Sequence, residues 1–493
     1  MAISDIQYTA WLAGDNKQRV VLAEVQAYSA GVTVTRYLSD RGFVSAPTDS
    51  PANTAYDDII VSIPSITSAL ADAMRGRTLI SFGDLDIDNS SGERDSWLTD
   101  AWDGRPVNLY LGDAAWDKAD FRQIFGGTAA DIQARDNATI TLRLRDKQSL
   151  LDVPMQTTFV GGTGSAMFQR VPICYGEVKF AEPVLIDAAA RRYQLHDGQI
   201  QSIDAVWENG AAVAGADFTA NLANGTFVMN RAVVGSLTVD CKGSKTGGTY
   251  VNTTANIAQR IITERSTITA GEISAAAVTA LNAAAPGVAG VYVTQDHRTV
   301  LSVLDELITG AGGYYSIGRD GVVTMALFTP PSGSPAVTIL DDDIEVAGID
   351  LVRRIVPKKS VRIGYARYQT VIDTTGLAGL TEAVRQRMAD EYLIVRATTA
   401  LTGYLLAVDA DIEYSAYVAS ADASTEATRR AALWGVLRRV FRLRGFMSAQ
   451  QVQLGAVVAL DLSRYGLTGG VLARVIRLRE SMTGGAVELE VFL

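Results

Sequence analysis

The chain has 493 residues, with 44 basic and 54 acidic side chains and a formal net charge of −10. A chain of this length is too long for one hydrophobic core and predicts three or four domains. The acidic balance argues against a nucleic-acid coat protein, which needs a cationic surface to displace counterions. It leaves open that DNA passes through an assembled channel, because a like-charged wall would not retain it.

The bulk composition predicts a folded chain in a reducing compartment. Hydrophobic residues make up 48% and aromatic residues 8% of the sequence, which is typical of globular proteins. The two cysteines, Cys174 and Cys241, match no metal-ligand spacing, and their pattern favours buried free thiols over a disulfide. The first residues lack the basic and apolar regions of a secretory signal, and no uncharged apolar run reaches the ~18 residues of a membrane span. We therefore expect the chain to be made and folded as a soluble protein.

The first predicted domain, residues 1–155, is rich in β-strands. Its apolar residues alternate or form short runs, in the segments Arg19–Tyr28, Val32–Leu38, Asp58–Ile63, Thr78–Phe82, Val107–Gly112 and Ala138–Asp146. A helix is expected near Asp95–Trp102. The three tryptophans Trp97, Trp102 and Trp116 are interpreted as core or subunit-interface residues rather than as a platform for carbohydrate or bases.

An acidic turn in this domain resembles a calcium loop only in part. Asp84, Asp86 and Asp88 alternate, and Asp95 stands where the last ligand would fall. The sixth position is Asn89, where an EF-hand requires glycine, and the bidentate glutamate is absent. The pattern therefore favours a solvated strand edge over a metal site.

The second predicted domain, residues 156–250, reads as a compact β-domain. Asn209-Gly210 and Asn224-Gly225 stand between apolar runs and predict type I′ hairpins. His196 lies beside Asp197, and no hydroxyl or thiol nucleophile is recognisably paired with it. The pattern favours a surface or turn histidine over a catalytic base, and His297 has the same interpretation.

The third predicted domain, residues 251–335, changes to helical periodicity. Helices are predicted at Ala255–Arg265, Ile273–Ala284 and Thr299–Gly312. A hairpin about Asp320-Gly321 follows. Residues 330–335, with the sequence PPSGSP, form the clearest linker in the chain.

The fourth predicted domain, residues 336–493, is an α/β region that ends in a small sheet or barrel. A strand is expected at Ser360–Val371 and a helix at about Leu380–Ala389. A second helix is predicted over residues 424–439, with Ser424 as its N-cap. Alternating apolar residues then predict three antiparallel strands, Val458–Leu462, Leu472–Leu478 and Val487–Val491.

No common catalytic fingerprint occurs in the sequence. There is no H-E-x-x-H, C-x-x-C, Walker loop, G-x-S-x-G or dinucleotide motif. We therefore predict no enzyme activity, no cofactor and no metal. A carboxylate pair for glycosidic cleavage stays open at this point, because the separation of the two groups is a three-dimensional quantity.

Stretches from all four predicted domains carry one family resemblance. They include ISFGDLDIDNSSGERDSWL, AWDGRPVNLYLGD, ITLRLRDKQSLLDVPMQ, the Y-x-x-x-D-G segment at Tyr193, SVRIGYARYQTV and GGVLARVIRLRE. In this order the chain resembles the tail-tip or baseplate hub proteins of long-tailed, siphovirus-like bacteriophages. The resemblance implies a mainly β fold with α+β insertions, in several domains, with tube-like β-barrel domains at both ends.

The same resemblance implies a function and partners. Each subunit of such a hub supplies two tube-like domains, so that a homotrimer forms a pseudo-hexameric ring matching a sixfold tail tube. The ring would close the distal end of the tube, connect it to tip and fibre proteins and line the DNA exit channel. The expected location is the virion, assembled in the host cytoplasm. A tail-associated cell-wall hydrolase and a receptor-binding adhesin are the alternatives.

One stretch of the fourth domain is strongly basic in this acidic chain. Between Ala427 and Leu460 there is no acidic residue, and six arginines occur: Arg429, Arg430, Arg438, Arg439, Arg442 and Arg444. Charge complementarity fixes the register of docking partners and speeds their encounter, so these arginines are a candidate docking surface for a neighbouring ring or subunit. An ordinary solvated helix, with arginines lying over the core, is the alternative that stays open.

Overall fold

The computed structural model describes residues 3–14, 18–63, 65–71, 74–161, 164–371, 382–401, 403–446, 452–480 and 486–493. The fold of these residues is mainly β and is divided among several sheets, each with its own hydrophobic core. The fold class predicted from the sequence, mainly β with α+β insertions in several domains, is confirmed.

Residues 3–146 form a short helix and eleven strands. They are α1 (Asp5–Ala13), β1 (Arg19–Ser29), β2 (Val32–Ser39), β3 (Phe43–Val44), β4 (Ala55–Asp58), β5 (Ile60–Ser62), β6 (Ile66–Leu70), β7 (Gly76–Phe82), β8 (Leu85–Asp88), β9 (Pro106–Asp113), β10 (Arg122–Ala134) and β11 (Thr139–Asp146). Helix α1 begins with a capping box, in which the side chains of Ser4 and Gln7 satisfy each other's backbone N–H groups.

Most of these strands form a closed barrel, which we call the first barrel. Its strands follow the order β4-β2-β1-β9-β10-β11-β8-β5, and the two outer strands are consecutive pieces of one segment. Ile59 lies between them: its N–H donates to the carbonyl of Ser39 at 3.0 Å, and its carbonyl accepts from the N–H of Asp88 at 2.8 Å. One residue therefore joins both edges of the sheet. We call residues 55–62 the first seam.

Residues 147–330 contain two smaller sheets, three helices and a hairpin. The elements are β12 (Ile173–Ala181), β13 (Val184–Asp187), β14 (Arg192–Gln194), β15 (Ile200–Glu208), β16 (Ala211–Ala212), β17 (Phe218–Asn221), β18 (Thr226–Met229), β19 (Leu237–Ser244), α2 (Thr254–Arg265), α3 (Ala275–Ala284), β20 (Gly290–Val293), α4 (Val300–Gly310), β21 (Gly313–Ile317) and β22 (Val323–Leu327). The sheets have the orders β16-β15-β19-β12-β20 and β13-β14-β18-β17. The apolar faces of the three helices bury a common core against β20 to β22.

Residues 338–493 contain a three-stranded sheet and a second barrel. The elements are β23 (Thr338–Leu340), β24 (Ile344–Ile355), β25 (Ser360–Tyr365), α5 (Glu382–Ala389), β26 (Leu393–Thr398), β27 (Ile412–Tyr414), α6 (Ser420–Trp434), β28 (Arg438–Phe446), β29 (Val457–Leu462), β30 (Leu467–Glu480) and β31 (Ala486–Phe492). Helix α6 packs its alanines on the sheet β26-β25-β27.

The second barrel closes in the same way as the first. Its strands follow the order β23-β29-β30-β31-β28-β24, and a single 3-10 turn, Asp341–Asp343, separates the two outer strands. In each barrel the closing segment pairs first in parallel (β4 with β2, β23 with β29) and then antiparallel (β5 with β8, β24 with β28). We call residues 338–355 the second seam. The chain therefore carries one closed barrel early and one late, with the same closing arrangement.

The hairpin β6–β7 connects the two barrels. It leaves the first barrel directly after the first seam, and β6 pairs with the end of β30, from Ile66 opposite Glu480 to Ala69 opposite Arg477. Strand β7 pairs in parallel with β21 at Gly76 and Arg77. Residues of the first predicted domain are thus part of the sheet of the second barrel.

Most predicted elements are present, although the strand predicted at Ser360–Val371 ends at Tyr365. Three other predictions differ in an informative way. The helix predicted over 424–439 runs from Ser420 to Trp434, with Ala419 as its N-cap, and ends at Gly435. The following residues belong to β28, because Arg442, Leu443 and Arg444 alternate with the period of a strand. The helix predicted at Asp95–Trp102 is a 3-10 turn over Asp95–Thr99.

The third difference concerns the hairpin loops. Asn209 and Gly210 have φ values of 48° and 78°, so the predicted type I′ turn is confirmed there. At Asn224-Gly225 the loop between β17 and β18 spans four residues, and only Gly225 has a positive φ. The predicted helix at Leu380–Ala389 is described only from Glu382 onwards, and Leu380 lies outside the described residues.

Candidate assembly surface

The six arginines of the predicted docking surface lie on two different elements. Arg429 and Arg430 are on α6, whereas the other four, Arg438, Arg439, Arg442 and Arg444, are on β28. The predicted helix over 424–439 therefore carries only the first two arginines, because Gly435 ends the helix before the second group begins. The docking role of these residues stays a prediction, and their surroundings differ widely.

Arg430 is an internal residue with a relative exposure of 1%. Its guanidinium donates to Glu426 at 2.5 Å, to Glu413, and to the carbonyls of Thr309 and Gly310 at the end of α4. Burial opposes the charge on Arg430, but the two carboxylates outweigh burial, so the pKa of Arg430 is raised. Arg430 thus joins α6 to β27 and α4 and contributes nothing to an outer surface.

The neighbouring charges complete this internal network. Arg429 donates to Glu426 at 2.7 Å and to the carbonyl of Phe328 at 2.7 Å. Arg75, just after the tip of the β6–β7 hairpin, donates to Glu413. The buried Glu426 and the half-buried Glu413 therefore each have two arginine partners, and the network ties the hairpin to α6.

Arg442 and Arg444 lie on the outer face of the second barrel, where acidic residues neutralise them. Arg442 is opposite Glu490 on β31 and contacts it at 2.9 Å, and Arg477 on β30 approaches the same carboxylate at 3.8 Å. Arg444 contacts Asp350 on β24 at 2.8 Å. These ion pairs join neighbouring strands across the outer face of the sheet and stabilise it.

Arg438 and Arg439 belong to a second cluster that sequence reasoning missed. Arg354 and Ile355 on β24 are opposite Arg439 and Arg438, and the chain continues from β24 to two lysines. Among the described residues none of the cluster forms an ion pair. We call these basic residues, which lie where β24 ends and β28 begins, the basic patch: Arg353, Arg354, Lys358, Lys359, Arg438 and Arg439. Arg438 and Arg439 donate to the backbone carbonyls of Leu433 and Tyr465. In the sequence these residues belong to the basic segment RRIVPKK and to the start of β28. Only the pairing of β24 with β28 shows that the two segments are neighbours.

The histidine and cysteine residues form a buried structural cluster. His196 has a relative exposure of 1%, so the predicted surface position is wrong, and the residue lies in the loop between β14 and β15. Its Nδ1 accepts from the N–H of Cys174, and burial lowers the pKa of His196 to about 4, which keeps it neutral near pH 7. Cys174 and Cys241 are buried free thiols with their sulfurs 3.5 Å apart, as predicted.

The acidic turn is used for structural contacts. Asp86 contacts Arg135 at 2.7 Å and accepts from the hydroxyl of Thr141 at 2.7 Å. Asp95 accepts from the side chain of Asn89 at 2.7 Å. In the part of the chain that the structure describes, no group of three or more His, Cys, Asp or Glu is arranged to hold a metal ion.

The tryptophans after the turn are core residues. Trp97 and Trp102 are buried in the core of the first barrel, and Trp116 packs on that core from a half-buried position. The interpretation of these residues as core is confirmed.

A cavity of about 390 Å³ lies where the two barrels meet the β21–β22 hairpin. Its lining includes Tyr8, Arg319 and Glu480. Burial raises the pKa of Glu480, and Arg319 opposes this by pairing with the carboxylate at 2.5 Å. Because the carboxylate is held by an arginine that also donates to the carbonyl of Val452, the pair is a structural contact across the junction.

Within the described ranges, no helix has both the length and the apolar character needed to span a membrane.

No protein-family model and no curated protein matches this chain. Among solved structures, it is similar to a chain of the virion of a native gene transfer agent particle, with 15% identity over 68% of this chain and 86% of that chain and a TM-score of 0.45. It is similar to a tail protein from Neisseria meningitidis MC58, with 10% identity over 96% of each chain and a TM-score of 0.37. It is also similar to the 43 kDa tail protein of prophage MuSo2 from Shewanella oneidensis, with 10% identity over 97% of this chain and 96% of that chain and a TM-score of 0.39. At scores below 0.5 and identities of 15% or less, these likenesses assign neither a fold family nor a function.

Proposed function

We propose that the chain is a virion structural protein, the hub ring at the tip of a long-tailed phage tail or of a particle derived from one. The observation that carries the proposal is the pair of closed barrels, one early and one late in the chain, with the same closing arrangement. The β6–β7 hairpin connects the two barrels, because it follows the first barrel in the chain and pairs with β30 of the second barrel and with β21. The sequence resemblance to tail-tip and baseplate hub proteins supports the same function.

The presence of two similar barrels in each chain explains how a trimer could match a sixfold tube. Three copies would place six similar barrels around one axis, which lets a homotrimer match the sixfold symmetry of a tail tube. In this position the ring closes the distal end of the tube and connects it to tip and fibre proteins. Genomic DNA passes through its channel without sequence-specific binding, because a chain with a net charge of −10 does not retain phosphates.

Labelled particles test the proposed location in the virion. A short epitope inserted at the loop of residues 330–335, which lies outside the strands and helices, would be detected with gold-labelled antibody on purified particles. We expect gold at the distal end of the tail. Gold on the head or along the tail shaft, or unlabelled particles with the epitope in the host fraction only, would contradict the proposal.

The hydrolase alternative has a direct test of its own. Purified protein is incubated with peptidoglycan, and released fragments are measured by chromatography and mass spectrometry. We expect no release above that of a heat-denatured sample. Release that depends on Glu480, the carboxylate that lines the cavity, would favour an enzyme in place of a hub.

A further inference from the structure

The second seam leaves a long strand edge without a partner. Strand β24 pairs with β28 from Ile349 to Ile355, whereas its predecessor β23 alone pairs with β29. In the described part of the chain, no strand pairs with the other edge of β24. An unpaired edge of this length is a template for another strand.

Exposed apolar side chains follow the same edge. They are Val346, Leu351 and Val352 on β24 and Val356 directly after it, and Val346 is fully exposed. Grouped apolar side chains on an outer surface are typical of a protein–protein interface, because isolated solvent exposure of such a group is unfavourable. The basic patch begins on this edge at Arg353 and Arg354, so the surface combines aliphatic contact area with unpaired positive charge.

The first seam has the complementary character. Asp57 and Asp58 on β4 are exposed, and among the described residues neither forms an ion pair. Burial raises the pKa of nearby Asp40, and Asp58 adds to this effect, while the cation Arg41 opposes it. Val61, in the same seam, is an exposed aliphatic residue. This seam therefore also combines aliphatic surface with unpaired charge, here of negative sign.

In strand order, β4 and the outer edge of β24 lie several strands away from the pairing that joins the two barrels. The ends of the seams are used inside the chain, because β6 begins shortly after Ser62 and Ile355 packs against the core cluster that contains Leu70 and Met74. In the second barrel, β6 binds β30, which is separated from the seam by β31 and β28 on one side and by β29 on the other. In the first barrel, β10 packs against the β21–β22 turn, where the backbones of Gly126 and Gly321 are in close contact. Strand β10 is separated from its seam by β11 and β8 on one side and by β9, β1 and β2 on the other. Asp57, Asp58 and the outer edge of β24 are thus not used in the pairing between the two barrels, whereas Ala55 and Tyr56 already pair with β3.

We propose that the second seam of one copy docks on the first seam of the next copy, with the basic patch facing Asp57 and Asp58. This head-to-tail contact rests on the proposed ring and names the surfaces that close it. A second copy fits better than nucleic acid, because the free edge of β24 offers backbone pairing and aliphatic area that a phosphate backbone does not use. A heterologous contact of this kind forms a closed ring when its rotation returns to the first copy.

Charge reversal in both partners tests the contact. One variant carries Arg353→Glu with Arg354→Glu, a second carries Asp57→Lys with Asp58→Lys, and a third combines all four changes. Self-association is measured by sedimentation and mass photometry, after circular dichroism has shown that each variant melts like the wild type. We expect each double variant to raise the dissociation constant for self-association about tenfold or more, and the combined variant to restore it within about threefold.

A matched control carries the same change of charge elsewhere. Arg143 on β11 and Arg192 on β14 are exposed and form no ion pair among the described residues, so Arg143→Glu with Arg192→Glu is expected to associate like the wild type. A control that weakens association as much as the Arg353 and Arg354 variant would show that net charge, and not the seam, is responsible.

Three further outcomes separate the possible failures. A wild type that stays monomeric at every concentration overturns the ring and the docking together. A wild type that associates, with reversals that have no effect or a combined variant that is not restored, overturns the docking and leaves the ring standing. If a 20-base-pair duplex binds the wild type and the Arg353 and Arg354 reversal abolishes this binding while association is unchanged, the basic patch is a nucleic-acid surface and the docking is wrong.

Discussion

Replacing Arg430 tests whether the buried charge network holds α6 to the rest of the chain. Arg430→Met keeps much of the side-chain volume and removes four hydrogen bonds, to Glu426, to Glu413 and to two backbone carbonyls. Removing one partner of a buried ion pair typically destabilises a protein by about 3–5 kcal/mol, because the remaining charge stays in a poorly solvated position. Since Glu426 keeps Arg429 and Glu413 keeps Arg75, we expect the lower end, about 3 kcal/mol.

Hydrogen exchange measured by mass spectrometry tests this expected loss of stability in the segments around Arg430. The free energy of opening should fall by about 3 kcal/mol in peptides from α6 and β27 and should change less in the first barrel. Arg444→Met is the control, because Arg444 and its partner Asp350 are both about half exposed. An exposed pair contributes little, so this change should stay within about 0.5 kcal/mol of the wild type.

A small effect would show that Arg430 does not hold α6 in place. If Arg430→Met lowered the opening free energy by less than about 1 kcal/mol, the network would be weak despite its burial. A double variant adds a second criterion. Arg430→Met with Glu426→Gln should cost at least about 1 kcal/mol less than the sum of the single changes, because the two residues are direct partners.

Three further predictions concern other buried groups. Burial lowers the pKa of His196 to about 4, so between pH 6.5 and pH 4 the unfolded chain binds a proton that the folded chain does not. The contribution of His196 to the free energy of unfolding should therefore be fully present above pH 6.5 and should be lost, by about 3 kcal/mol, as the pH drops to 4. Thermal melts should show this loss in the wild type and a flatter pH profile in His196→Gln. Arg319→Met leaves Glu480 buried without its partner and should cost about 3 kcal/mol, seen as faster hydrogen exchange in the β6–β7 hairpin; unchanged exchange there would contradict the role of this pair. A Cβ on Gly176, where φ is +67°, would lie 2.0 Å from a backbone carbonyl, so Gly176→Ala should lower the melting temperature by several degrees, whereas Gly271→Ala, in open space, should not.

The alternation of apolar residues was enough to predict most strands and helices. The predicted bounds of Arg19–Ser29 and Val32–Ser39, for example, agree with the structure to within one residue, because both strands are short apolar or alternating runs that end at turn residues. The helix over 424–439 was wrong because the run of arginines and apolar residues is compatible with both periods. Only Gly435 marks the change, and a single glycine inside a helical pattern is a weak signal.

Barrel closure and the ion network were beyond sequence reasoning for a different reason. Ile59 looks like an ordinary strand residue, and its double role depends on Ser39 and Asp88 meeting it from opposite sides. Arg430 and Glu413 form an ion pair, although Glu413 is on β27 and Arg430 is in the second half of α6. Such contacts depend on register and long-range pairing, which periodicity does not contain.

Cryo-electron microscopy of the purified full-length protein, at concentrations confirmed by sedimentation, tests whether two barrels from each copy surround one axis. We predict a particle of about 158 kDa, three times the chain mass of 52.6 kDa, with threefold symmetry and six barrel-shaped densities around a central opening. A single 52.6 kDa chain at micromolar concentration, or an oligomer in which the early and late barrels share no axis, would contradict it.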